Sequence, residues 1–476
     1  MEHMSDIHFG TGGWRAIIGD DFTRANINRV AQAIAEILIE DGKTDKPVMI
    51  GYDRRFLSES AVKWLSEVFA ANGIEVLTMK RSAPSPLIMH TVQKRELYCG
   101  LEVTASHNPP EYDGIKVIVE EGRDAPVEVT DRIEKKIDSL KTIKKMDFED
   151  AVEEGTIRFL KNPFNDFIDD ILGVLDKAAI KDKGLRVLFD PMHGSGTYPL
   201  EVILNTCRCT IDIINENKDA YFDGGYPAPS ENTLKDLADK VIRGKYDFGI
   251  AFDGDGDRLG IIDSSGRYVS MNEIIVMMYW YLHEKKGWKG PVVRNISTTY
   301  ILDRMADSFG EKCIEVPVGF KWVSSAIDEY DAVLGGESSG GLTVRGHING
   351  KDAIYTVSLF VEMLAVTDMT VQEISEMIAK KWGRSVFLDE ALTFKPEDKV
   401  RINKALIEEK KLPKLDKKIR DISYLDGCKV NFTDDSYVIC RFSGTEPLLR
   451  IMAEAETEKE ARSYLAVFRS FVEGLM

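Results

Sequence analysis

The sequence predicts an α/β protein of several domains, and three observations carry that reading. Its 476 residues exceed what one hydrophobic core fills, since single cores stop growing at roughly 250 to 300 residues, so three or four domains are expected. Strand-like runs alternate with helix-like amphipathic runs through most of the chain, the pattern of α/β units. Each strand ends in a Gly-, Asp- or Ser-rich turn, and open α/β sheets place ligands at the carboxyl ends of their strands. A composition of 43% hydrophobic and 30% charged residues is ordinary for a globular chain.

The elements follow in order. "KPVMIGYD" reads as a strand ending at Asp53, and "SESAVKWLSEVFAANG" as an amphipathic helix capped by Ser58 and stopped at Gly73. "IEVLTM" opens the next strand, and the cycle returns at residues 185–196, 246–263 and 291–297. The longest apolar run, 274–282, is far shorter than the about 20 residues that span a bilayer and reads as a buried helix. Two charge-rich stretches, 141–155 and 394–421, read as solvated segments that join or decorate domains. Boundaries at the first of them, after Asp263 and near 381–389 divide the chain into 1–150, 151–263, 264–385 and 386–476.

A formal net charge of −17 disfavours nonspecific binding to nucleic acid or to an anionic membrane, so an anionic ligand must be held by local Arg and Lys. The N-terminus lacks the charged and apolar regions of a signal peptide. Six scattered cysteines read as reduced thiols of a cytoplasmic protein, with Cys207 and Cys209 placed on a strand. With seven histidines and neither HxxxH nor CxxC spacing, a zinc site has little support. "HGSGTY" at 193–198 is half a dinucleotide fingerprint and reads better as a strand-to-helix turn, with His193 a hydrogen-bonded loop residue.

Four stretches offer chemistry. In "EVTASHNPPEYDGIKV" a small hydroxyl, Ser106, stands before His107 in a loop, with Lys116 on the strand that follows; the pair suggests a hydrolase nucleophile and base. In "AFDGDGDRLG" the carboxylates of Asp253, Asp255 and Asp257 repel one another, and the intervening glycines let the backbone curl so that all three meet one hard cation such as Mg²⁺. An acidic turn is the plainer alternative. A calcium EF-hand is poorer, because Arg258 stands where its glycine belongs and Ser264 where its bidentate Glu belongs. "LGGESSGGL" offers Glu337 and Ser339 to sugar hydroxyls, with Lys321 upstream, although a Gly/Ser surface turn accounts for it about as well. "CRFSGTEPLLR" offers Arg441 with Ser443, Gly444 and Thr445 as a phosphate cradle, or else a polar turn between strands.

Together "GTGGWR", "TASHNP", "DGDGDR", "GESSGG" and "RFSGTEP", in this order across nearly the whole chain, resemble the α-D-phosphohexomutases, the family of phosphoglucomutase, phosphomannomutase and phosphoglucosamine mutase. The resemblance implies three α/β domains with mixed sheets and a smaller C-terminal α+β domain around a central cleft, the last closing over substrate. It implies that Ser106 carries a phosphoryl group, with no hydrolytic triad. The Ser106 phosphate would complete a Mg²⁺ site with Asp253, Asp255 and Asp257. Arg15 and Arg258 would bind the same phosphoryl group, and His107 would sit against it or a sugar hydroxyl. Lys116 matches the general base, which must lose its proton with help from positive neighbours; phosphate anchoring is its alternative role. Glu337 and Ser339 would hold sugar hydroxyls, and Arg441, Ser443, Gly444 and Thr445 the phosphate that stays.

The implied substrate is a hexose phosphate, with glucose 1,6-bisphosphate as intermediate and activator, in a monomer or homodimer. Glucose phosphate is expected first, mannose phosphate second and glucosamine phosphate third. Gly341 stands where some relatives have a histidine, whose role must be absent or supplied elsewhere, with His347 a candidate. A Mg²⁺-dependent phosphatase and a noncatalytic sugar-phosphate-binding protein are the alternatives from other classes.

Overall fold

The computed structural model describes residues 7–10, 12–443 and 448–476, which group into two compact units. One holds Met1–Ser270 with Gly340–Val371, the other Met271–Ser339 with Gln372–Met476. The stretch 264–385, which the sequence reads as one domain, therefore contributes to both.

The first unit opens with β1 (Gly13–Ile17), β2 (Val48–Tyr52), β3 (Val76–Thr78), β4 (Cys99–Val103), β5 (Tyr112–Val119), β6 (Arg123–Asp124) and β7 (Ile157–Phe159). These form a mixed sheet in the order β1-β5-β4-β2-β3-β7, with β6 on β5. The apolar strand β2 lies parallel to both β3 and β4, whereas β5 turns back antiparallel to β4, setting Glu102 opposite Lys116. Helix α1 (Arg24–Glu40) begins where the Thr23 hydroxyl accepts from the Asn26 N–H. Its Ile27, Val30, Ile34 and Leu38 recur at helical spacing and share one core with Val48, Ile50, Leu101, Val103 and Ile115. Burying each such side chain contributes roughly 1.5 to 3 kcal/mol.

Helix α2 (Ser58–Ala71) ends at Asn72 and Gly73 as expected, but Ser58 is not its cap. Leu57 occupies the cap position at φ 70, and the Ser58 hydroxyl lies 3.0 Å from both Asp53 and Asp113. The charged stretch 141–155 is only partly solvated, because its helix Phe148–Glu153 sends Phe148 and Ala151 into the same core. Since β7 extends this sheet, its last strand falls beyond residue 150.

A second mixed sheet comprises β8 (Arg186–Asp190), β9 (Thr210–Ile213), β10 (Phe248–Phe252), β11 (Leu259–Asp263) and β12 (Tyr268–Val269), ordered β12-β11-β10-β8-β9. "HGSGTY" is indeed the turn between β8 and the helix Thr197–Thr206, and His193 Nδ1 is 3.1 Å from the Asn217 carbonyl. Cys207 and Cys209 are not on a strand: Cys207 ends that helix and Arg208 turns at φ 64. All six cysteines are unpaired.

In the second unit β13 (Val292–Asn295) lies parallel to β14 (Cys313–Val316) and β15 (Leu334–Gly336). The run 274–282 is buried within the helix Met271–Glu284, as its composition predicts. The C-terminal part is a smaller α+β domain. Its antiparallel strands run in the order Val386–Thr393, Leu448–Ala455, Tyr437–Phe442, Cys428–Phe432, Ile419–Ser423, and the helix Glu458–Glu473 packs on them. The charged stretch 394–421 contributes Ile402 and Leu406 to that core. Among the described residues no single helix is long and apolar enough to cross a membrane.

Candidate active site

The Ser106 loop, between the antiparallel strands β4 and β5, is held from beneath. Asp53, at the end of β2, accepts from the Thr104 hydroxyl (2.7 Å), which in turn accepts from the Ser106 N–H (2.9 Å). Arg55 is buried, and its guanidinium donates to the carbonyls of Ser106 (2.7 Å), Asn108 (2.6 Å), Pro109 (2.9 Å) and Tyr112 (2.9 Å). These bonds hold Ser106 at φ 50, a left-handed conformation that costs a serine energy and that the surroundings must enforce. Neither Asp53 nor Arg55 stood out in the sequence, because a strand-end "YDRR" carries no signature until the fold brings the loop to it.

The Asp253 loop connects β10 to β11 and packs against that serine. A Cβ at Gly254 would fall 2.7 Å from the Ser106 carbonyl oxygen, and Gly256 turns at φ +68, so both glycines are required for the approach and the curl. Asp253 Oδ1 accepts from the N–H groups of Asp257 and Arg258 (both 3.0 Å), while its Oδ2 accepts from the Ser106 hydroxyl at 3.0 Å. The three aspartates are buried, with one oxygen from each within 4.8 Å of the others. Asp255 Oδ1 and Asp257 Oδ1 are buried acceptors without a hydrogen bond. Clustered carboxylate oxygens with unspent acceptor capacity fit a hard divalent cation such as Mg²⁺.

Two lysines face these carboxylates. Lys116 Nζ lies 3.1 Å from Asp255 Oδ2 and 2.9 Å from Asp257 Oδ2, and Lys351 Nζ lies 2.7 Å from the same Asp257 oxygen. Burial alone would lower the Lys116 pKa, but neighbouring carboxylates, Asp255 and Asp257 foremost, outweigh it and hold the pKa well above the ordinary lysine value. Burial opposes ionisation of Asp257 as well, yet Lys116, Lys351 and Arg258 hold it well below the usual carboxylate range. Asp253, buried and next to the other two aspartates, is pushed up.

Lys351 was not legible as a site residue. The signal was Gly341: a Cβ there would fall 2.2 Å from Lys351 Cδ, so the lysine side chain runs through the space that a side chain at 341 would need. His347 does not take that place. Its Nε2 is 2.6 Å from Asp352 Oδ2 and its ring stacks on Tyr355 at 4.0 Å.

Arg15, on β1, donates to Asn108 Oδ1 at 2.9 Å; desolvation of its guanidinium and the like charge of Arg258 lower its pKa. Arg258 Nε is buried without a hydrogen bond. His107 Nδ1 is 3.3 Å from the Ser106 hydroxyl. Burial of the ring, then Arg258, Arg15 and Lys351, push the His107 pKa down to about 2. A ring held so low argues against His107 as the base of a hydrolytic pair.

The second unit gathers the remaining candidates. Glu337 is buried, and its Oε1 accepts from Asn295 Nδ2 (2.9 Å) and the Gly319 N–H (2.8 Å), which ties "GESSGG" to the loop leading to Lys321. Asp426 Oδ2 joins that loop to the C-terminal one, accepting from the Val318 N–H (3.0 Å) and from Arg441 Nε (3.1 Å). Ser339 is exposed; Lys321 and Ser443 are partly exposed. Gly444 and Thr445 lie outside the described residues.

A buried hydroxyl among carboxylates, lysines and arginines, set at the carboxyl ends of strands in a chain of α/β domains, is a setting whose charges suit a phosphoryl group. The comparisons narrow the class. Models of the phosphoglucomutase/phosphomannomutase family match along the chain: alpha/beta/alpha domain I at residues 6–144, domain II at 165–266, domain III at 270–382 and the C-terminal domain at 395–470. A phosphoglucomutase/phosphomannomutase of Thermococcus kodakarensis is 30% identical over 96% of this chain and 96% of its own. A phosphoglucosamine/phosphogalactosamine mutase of Sulfurisphaera tokodaii is 27% identical over 98% of this chain and 99% of its own. The crystal structure of a phosphoglucomutase/phosphomannomutase family protein from Burkholderia thailandensis shares the fold with a TM-score of 0.83 at 20% identity, covering 99% and 98% of the two chains. The chain belongs to the phosphoglucomutase/phosphomannomutase family, within the α-D-phosphohexomutases, and is an intramolecular phosphotransferase of that type.

Proposed function

We propose that this phosphohexomutase interconverts glucose 1-phosphate and glucose 6-phosphate through phosphorylated Ser106 and glucose 1,6-bisphosphate. One observation carries the carrier role of Ser106: its buried hydroxyl donates to Asp253, one of three clustered carboxylates that fit a divalent cation. Phosphorylated Ser106 gives its phosphoryl group to the free hydroxyl of the monophosphate, the bisphosphate turns, and its other phosphoryl group returns to the serine.

Asp253, Asp255, Asp257 and the Ser106 phosphate oxygen would hold Mg²⁺, which when bound supplies positive charge to the phosphoryl oxygens. Arg15 and Arg258 bind the phosphoryl group, and His107 sits against it. Lys116, beside Asp255 and Asp257, is assigned the general-base role on the attacking hydroxyl, with anchoring of phosphoryl oxygens as its alternative. Glu337, with Oε1 already engaged, offers its other oxygen to a sugar hydroxyl beside Ser339, and Lys321 supplies charge. Arg441, with Ser443, Gly444 and Thr445, holds the phosphate that is not transferred. The unpaired cysteines suit a cytoplasmic location.

The name of the Sulfurisphaera relative favours amino-sugar phosphates as a second reading. A coupled assay over glucose, mannose and glucosamine 1-phosphates, with inorganic phosphate followed in parallel, tests both. Glucose 1-phosphate is expected to give the highest kcat/KM without phosphate release. Preference for glucosamine 1-phosphate would install the second reading, and phosphate appearing as fast as isomer would replace the mutase with a phosphatase.

A further inference from the structure

Two buried groups beside the transferring centre have no part in the mechanism above. Glu102 lies near the end of β4, fully buried, directly across the sheet from Lys116 on β5. Ser85 opens helix α3 (Ser85–Lys94), also fully buried; its N–H donates to the Asp255 carbonyl at 2.8 Å. The Ser85 hydroxyl oxygen lies within hydrogen-bonding distance of three groups: Asp255 Oδ2 (2.7 Å), Lys116 Nζ (2.9 Å) and Glu102 Oε2.

We infer that Ser85 and Glu102 are positioning residues for phosphoryl transfer, Glu102 orienting the Ser85 hydroxyl and that hydroxyl fixing both Asp255 and Lys116. A serine has one proton to donate and two lone pairs to fill. Lys116 can only donate, so it fills one lone pair. Two carboxyl oxygens remain, and one proton cannot serve both. The count closes when one carboxyl carries a proton; Asp255 Oδ2 already accepts from Lys116, so the proton falls to Glu102, which donates to Ser85 and leaves the serine proton for Asp255 Oδ2. Burial, then the charge of Asp255, push Glu102 well above the usual carboxylate range, in agreement with that count.

The consequence for Asp255 is directional. Its Oδ2 is taken by Ser85 and Lys116, so Oδ1, the buried oxygen without a hydrogen bond, is the one left for a cation. Alanine at 85 would leave Asp255 Oδ2 to Lys116 alone and Lys116 to the two aspartates alone, and an apolar residue at 102 would free the Ser85 hydroxyl to turn away from both. The inference rests on the Mg²⁺ reading of the aspartates.

The test uses the full chain, with Mn²⁺ as probe, titrated by the paramagnetic resonance of the free aquo ion, alongside kcat and KM. Ser85→Ala and Glu102→Met are expected to weaken Mn²⁺ binding and lower kcat on the order of 10- to 100-fold with little change in KM, the usual scale for partners that orient a ligand. Glu102→Gln, whose amide N–H donates to the same serine oxygen, should recover both to within about threefold of wild type. Wild-type Mn²⁺ affinity and kcat in Ser85→Ala would overturn the inference. A Glu102→Gln variant as damaged as Glu102→Met would also overturn it, since Glu102 would then act as an anion. Thermal unfolding keeps the outcome readable: if Glu102→Met fails to fold, Ser85→Ala, which removes one oxygen, decides alone. Wild-type protein that binds no Mn²⁺ at all would instead sink the metal reading, and this inference with it.

Discussion

The Ser106 centre and the Arg441 loop are both assigned to phosphate, yet they are built in opposite ways. The first is buried and crowded: Ser106, Asp253, Asp255, Asp257 and Lys116 are almost wholly shielded, and the loop backbone is clamped by Arg55. The second is less shielded among its described residues: Arg441 and Ser443 are partly exposed, and Arg441 Nε donates to Asp426. Chemistry on a transferring group needs fixed charges and little water, whereas a site that must release one phosphate and take the other gains from exposure and a single anchor. The difference predicts that substitutions in the first region act on turnover and those in the second on binding.

The largest effect is expected at Ser106. Ser106→Ala should lower turnover on the order of 10⁴-fold or more without unfolding the chain, and intact-mass analysis should show no phosphorylated fraction. Near-normal turnover in this variant would falsify the carrier role. Asp255→Asn removes one ligand charge, and a loss of about 100-fold is expected, with a higher metal requirement in a Mg²⁺ titration.

Lys351 sharpens the comparison because the fold, and not a motif, delivers it. Gly341→Ala must push its flexible side chain aside, so kcat should fall on the order of tenfold while the melting temperature stays put. A drop in stability without a drop in kcat would mean that Gly341 serves packing only.

At the open site Arg441→Ala should lower kcat/KM in both directions by about 30-fold, the equivalent of about 2 kcal/mol for a charge-assisted contact, mainly through KM; Arg441→Lys should recover part of it. Asp426→Asn, which keeps the acceptor but not its charge, should raise KM only about three- to fivefold. If kcat, and not KM, falls in these variants, the division between the two regions is wrong.

The smallest effect concerns acid. The His107 ring, at about 2 in the folded chain, has an ordinary value of 6.5, so in that interval the unfolded chain binds a proton that the folded one refuses. Its contribution is full above about pH 6.5 and is lost as the pH falls, by at most about 1.4 kcal/mol per unit. In chelated, dephosphorylated protein, acidification from about pH 7 to about pH 5 should lower the unfolding midpoint less in His107→Asn than in wild type. Equal shifts would place the ring in a solvated setting.

Several features were legible because they depend on neighbours in sequence. "DGDGDR" clusters its carboxylates within a few residues, and glycines at 254 and 256 announce a curl that any fold must accommodate. The strand-turn-helix cycles and the buried run 274–282 follow from periodicity and apolar length in the same way. Other readings failed where distant groups competed for the same atom. Ser58 looked like a cap, but Asp53 and Asp113 reach its hydroxyl through the fold. Charge density at 141–155 and 394–421 hid the few apolar residues that anchor those stretches in cores.

By itself the sequence determined the α/β class, the order of the motifs and the aspartate cluster. Only the tertiary structure decided the charge states and the supporting cast. Strand pairing put Glu102 across from Lys116, and chain return put Lys351 on Asp257. Burial turned His107 into a very weak base. Proton affinity depends on desolvation and on charges a few ångströms away, and those distances are fixed by which strands pair, not by which residues adjoin.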